Sequence, residues 1–82
     1  MEVAASSLLE AVREFLEAEQ GVEPEEVQLD TQLFQEGFID SFAVVRLIAA
    51  LESGLGLDLP TGALIPEDFA SVEILRRRLA EL

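Results

Sequence analysis

Val44, Leu47, Ile48, Leu51 and Leu55 repeat at i, i+3, i+4, i+7 spacing, which is the stripe of a helix packed on a core. Beside that stripe runs a second apolar strip, Phe42, Val45 and Ala49. A helix apolar on two sides is either fully buried or partly covered by a partner. Two further stripes have the same period. Leu8, Val12, Phe15 and Leu16, widened by Leu9, form one; Val72, Leu75, Leu79 and Leu82, with Ile74, form the other. No segment alternates long enough to be a strand. Three helical stripes in 82 residues predict one small all-α bundle, occupying residues 1–82 as a single domain.

Local signals set the expected ends. Ser7 with Glu10 fits a capping box for the first helix, and Gly21 is its expected stop. Asp40 or Ser41 caps the second helix, and Gly56 ends it. Ser71 caps the third, whose Arg76, Arg77 and Arg78 suit the negative end of the helix dipole. Two long loops separate the helices. Val27, Leu29, Leu33 and Phe34 are expected to pin the first, and Leu57, Leu59, Leu64 and Ile65 the second. Pro24 suggests a short turn in the first loop, and Pro66-Glu67-Asp68-Phe69 reads as a short helical turn in the second.

Composition excludes several functions. The formal net charge is −12, and all five cations are Arg. Such a chain repels nucleic acid and anionic membranes, and favours partners with basic docking surfaces. It has no Cys, hence no disulfide and no thiolate metal site. The apolar run Phe42 to Leu51 is interrupted by Arg46 and is too short for a bilayer. No basic-then-apolar secretory signal opens the chain, so a cytoplasmic location is expected. Ser41 has no His or Lys anywhere in the sequence to activate it. No metal-binding spacing, EF-hand or phosphate-binding glycine loop occurs. An enzyme is therefore not expected, and no catalytic or metal-ligating residue is assigned.

The serine at the second helix start has two readings. Ser7 and Ser71 read as ordinary caps. Ser41 stands apart: an acid precedes it, Gly37 lies four residues before, Phe42 follows, and an exposed apolar strip lies beyond. There the backbone N–H groups lack partners and the dipole is positive, so an attached phosphate is stabilised.

Gly37-Phe38-Ile39-Asp40-Ser41-Phe42, the Leu29-Asp30-Thr31 to Leu33 segment and Phe69-Ala70-Ser71-Val72 fall in the order found in acyl and peptidyl carrier proteins, and the chain resembles that family over nearly its whole length. The resemblance implies an acyl-carrier-like bundle of three main helices plus one short helical turn. It implies a 4′-phosphopantetheine on Ser41, placed there from coenzyme A by a phosphopantetheinyl transferase, with Asp40 helping to dock that enzyme. The arm would hold an acyl or aminoacyl group as a thioester. A loading enzyme and downstream synthases or transferases would be the further partners, contacting Phe42, Val45 and Ala49, with Ile65 bordering the arm. Glu67 and Asp68 would add acidic contacts or lie in solvent. A discrete, monomeric carrier is the expectation.

Fatty-acid-synthesis carriers typically place acids on the exposed side of the second helix shortly after the serine. Here those positions read Ala43 and Arg46. That departure points to polyketide, nonribosomal peptide, or aminoacyl and D-alanyl transfer rather than housekeeping fatty acid synthesis. The alternative is an unmodified helical interaction module, in which Ser41 is only a cap and the strip binds a partner helix.

Overall fold

The computed structural model describes residues 1–60 and 62–82. Three α-helices form the bundle: α1 (Ala5–Gln20), α2 (Ser41–Leu55) and α3 (Val72–Ala80). Short 3-10 turns, Pro24–Glu26 and Pro66–Phe69, punctuate the two loops. The turn at Pro24 is thus formed in full, and the bundle carries two short turns. No strand occurs among the described residues. No described helix is long and apolar enough to cross a membrane.

The core is built from the predicted stripes. Leu8, Val12 and Leu16 of α1 are fully enclosed, as are Leu47 and Leu51 of α2 and Val72 and Leu79 of α3. Helix α1 packs along both α2 and α3, and the Pro66–Phe69 turn closes the gap between α2 and α3 with a fully buried Phe69. Gly21 and Gly56 end α1 and α2 in the left-handed conformation.

The first loop is tied to the bundle by buried side chains and hydrogen bonds. The Leu33 side chain is buried, its N–H donates to the Ala70 carbonyl at 2.9 Å, and its own carbonyl accepts from Phe38 at 2.9 Å and Ile39 at 3.3 Å. The Glu73 N–H donates to the Leu29 carbonyl at 2.9 Å, which ties the same loop to the start of α3. Arg13 of α1 donates Nε–H to the Val27 carbonyl at 2.8 Å. A long segment without regular hydrogen bonding is ordered this way because its polar backbone finds partners and its apolar side chains find the core.

Five expectations need correction. Ile65, expected to pin the second loop, is 51% exposed: Leu57, Leu59 and Leu64 supply the loop's apolar contacts, and Ile65 is held only through its backbone N–H, by Asp68. Helix α1 starts at Ala5, with Ala4 as its N-cap and no side-chain cap bond, so Ser7 and Glu10 form no capping box. Met1 and Val3 pack against the core and carry the helix start forward. Leu29 stays 36% exposed and is held through its carbonyl rather than its side chain. Ile74 and Leu82 are exposed: α3 turns only its Val72, Leu75 and Leu79 edge to the core, and Leu82 lies beyond the helix end at Ala80. Ala43, counted on the exposed side of α2, is 1% exposed: with Leu47 and Leu51 it continues an i, i+4 row into the core.

Candidate functional site

The loop before α2 delivers its first residue to the surface. Phe38 is half-buried and Ile39 buried, so the chain is pinned up to Ile39 and emerges at Asp40 and Ser41, both exposed. Gly37 turns the backbone there with φ +78°, a conformation that side-chain-bearing residues rarely adopt. Asp40 is the N-cap. Its backbone is extended, and its Oδ1 accepts the Ala43 N–H at 2.8 Å. The Asp40 carbonyl then accepts the first helical bond, from Val44 at 3.0 Å.

Ser41 is therefore the first helical residue and not the cap. Among the described residues its hydroxyl has no hydrogen-bond partner, and neither do the N–H groups of Ser41 and Phe42. An exposed hydroxyl beside unpartnered first-turn N–H groups suits a phosphodiester. The oxygen can be esterified without disturbing any contact, and the donors and dipole stabilise the added negative charge. The Asp40 carboxylate already uses one donor, the Ala43 N–H, so the remaining two are those an attached phosphate would share.

The predicted contact residues are all at the surface. Phe42 is 79% exposed and Val45 67%; Ala49 continues the same side of α2. Ile65 is 51% exposed and immediately precedes the Pro66–Phe69 turn that packs on α2. A cleft of about 250 Å³ separates α2 from the second loop, lined by Ile48, Glu52, Leu59, Pro60, Gly62 and Leu64. A larger, open groove between α1 and α2 has Glu10, Glu14 and Glu19 on its rim and lies along the C-terminal half of α2, away from Ser41.

Charge around the site is more structured than composition suggested. Arg46 lies next to the apolar strip and donates Nε–H to Glu19 of α1 at 2.7 Å. Glu52 is occupied by the Leu59 N–H at 3.3 Å. The exposed side of α2 thus carries one cation and no uncommitted carboxylate, in a chain of net charge −12. Asp68 is not a free acid either: Oδ2 accepts the Ile65 N–H at 2.9 Å and faces Arg78. Glu67 is exposed. The Glu19–Arg46 pair escaped sequence reasoning because it joins residues 27 apart. The burial of Ala43 did not have to escape it, since the 43, 47, 51 spacing was visible.

Comparison with known proteins gives a concordant result. Residues 7–78 match the family model described as phosphopantetheine attachment site. D-alanyl carrier proteins of Bacillus cereus (strain B4264) and Bacillus anthracis (strain CDC 684 / NRRL 3495) are each 33% identical to the chain over 54 residues, which is 66% of this chain and 68% of theirs. No solved structure matches the chain.

Proposed function

The chain belongs to the phosphopantetheine attachment-site family, whose cofactor is a covalent 4′-phosphopantetheine, and we propose that residues 1–82 form one carrier domain with Ser41 as the point of attachment. The observation that carries this is the state of Ser41: exposed, at the first turn of α2, with a hydroxyl free of structural duty because Asp40 makes the cap.

Each residue then has a physical task. Ser41 Oγ is the acceptor oxygen. The first-turn N–H groups and the helix dipole stabilise the phosphate esterified there. Asp40 holds the helix start in place and presents an acid to the phosphopantetheinyl transferase. Phe42, Val45 and Ala49, with Ile65 nearby on the second loop, give partner enzymes an apolar contact beside the arm. When bound, the group supplies a thiol that holds cargo as a thioester. Tethering raises the local concentration of cargo at each partner's active site. The chain has no His or Lys to activate Ser41 as a nucleophile, and no Cys. An unmodified interaction module is set aside, since that reading leaves the match to the phosphopantetheine attachment-site family unexplained.

For cargo, we infer an aminoacyl group, ahead of polyketide or nonribosomal peptide intermediates. Support comes from the D-alanyl carrier relatives; Arg46, where the family resemblance leads one to expect an acid in fatty-acid-synthesis carriers, argues only against fatty acid synthesis. The test is to incubate the phosphopantetheinylated protein with ATP and a D-alanine-activating enzyme, and in parallel with a fatty-acyl-loading enzyme. A hydroxylamine-labile D-alanyl adduct in the first reaction alone is the expected result. Loading by the fatty-acyl enzyme alone would overturn the aminoacyl assignment.

A further inference from the structure

Among its described residues the second loop exposes one large apolar side chain, Ile65, and the same α3 residue ties the loop down on either side of it. The Arg78 guanidinium donates Nη2–H to the Ala63 carbonyl at 3.1 Å. Its Nε lies 3.7 Å from Oδ2 of Asp68. That same Oδ2 accepts the Ile65 backbone N–H at 2.9 Å. Nη1 turns away, toward Glu81 at 3.5 Å. Helix α3 is itself fixed by buried Val72, Leu75 and Leu79. The chain of contacts therefore runs from the core, through one rigid guanidinium, to the residues bracketing Ile65.

Arginine suits this position for a geometric reason. A planar fork offers donors in several fixed directions, so one side chain can reach a carbonyl and a carboxylate together; an ammonium on a flexible stem is a point charge. The Ile65 side chain is half in solvent and does not hold itself in place by packing. Its backbone is held instead, by Asp68 from below and by Pro66, whose ring fixes φ, on the following side.

We propose that Arg78 is a positioning residue for partner docking: it holds residues 63–68 so that Ile65 is presented in one conformation. This rests on the reading of Ile65 as a partner contact. Part-exposed ion pairs add little to folding stability. A contact residue ordered before binding does not have to be ordered during it, so the effect falls on affinity.

The test uses the unmodified chain as substrate of a broad-specificity phosphopantetheinyl transferase at saturating coenzyme A. KM and kcat are measured for the parent, Arg78→Gln, Arg78→Lys, Ile65→Ala and the Ile65→Ala/Arg78→Gln double variant, with thermal unfolding alongside. Arg78→Gln and Ile65→Ala should each raise KM by about fivefold with kcat unchanged, as truncation of a contributing contact does. Arg78→Lys should fall between, and it carries the test should Arg78→Gln fail to fold. In the Ile65→Ala background, Arg78→Gln should add nothing, because its effect passes through Ile65. Additive losses in the double variant, or an Arg78→Gln chain that melts earlier with KM unchanged, would overturn the proposal. Val45→Glu separates the levels of failure. If it raises KM while Ile65→Ala does not, docking on α2 stands and the role of Arg78 falls; if neither raises it, both fall.

Discussion

The carboxylate of Asp40 accepts the Ala43 N–H at 2.8 Å, across the residue that the family's cofactor would occupy. Two neighbours thus divide two tasks. Asp40 ends the loop and starts the helix, while Ser41 is left chemically available. The division predicts that stability and modification can be separated by mutation.

Asp40→Ala should destabilise the fold by about 1 kcal/mol, the usual cost of a lost N-cap. Asp40→Asn, which keeps an acceptor for Ala43, should cost much less. Urea denaturation of the two variants checks this. A stable Asp40→Asn chain that is modified more slowly than the parent would assign the negative charge to transferase docking.

Val45→Glu should leave stability within about 0.5 kcal/mol of the parent, as surface substitutions usually do, because Val45 is 67% exposed. It should weaken binding of partner enzymes, read as a raised KM. Unfolding of this variant would show that Val45 belongs to the core.

Arg46→Glu removes the ion pair with Glu19 and sets two acids facing each other across α1 and α2. Because Arg46 is largely exposed, the loss in stability should stay below about 1 kcal/mol and shrink further with added salt. Recognition by fatty-acid-type partners should improve, measured as kcat/KM with a fatty-acyl-loading enzyme. No change in that value would remove Arg46 as a pathway determinant.

Leu33→Ala should be the most damaging of these changes, at about 2–5 kcal/mol for a fully buried leucine. For a small domain, that is a large share of the total stability. Calorimetry or urea melts read it directly. A mild effect would mean that the first loop is not anchored through Leu33.

The three stripes and the serine at the head of α2 were legible because helical period and capping are local. Val44, Leu47 and Leu51 point inward for the same reason that they recur every three or four residues. Phe42 and Val45 were legible as exposed because they fall outside that row. Ala43 was misplaced: alanine is too small to announce a side, and only its spacing to Leu47 and Leu51 gives it away. The start of α1 was misjudged because packing of Met1 and Val3 outweighed the Ser7 and Glu10 cap signal. The contacts that organise the loops, Leu33 with Ala70, Arg13 with Val27 and Arg78 with Ala63, join residues distant in sequence. Arginine and leucine carry no mark of a particular distant carbonyl, so no local pattern could name them.

The most direct measurement is intact-protein mass after incubation with coenzyme A and a broad-specificity phosphopantetheinyl transferase, with Ser41→Ala alongside. The parent should gain one phosphopantetheine. Ser41→Ala should gain none while unfolding within about 0.5 kcal/mol of the parent, since an exposed hydroxyl without partners contributes little. Modification of a folded Ser41→Ala chain would contradict the account, placing the arm on another residue.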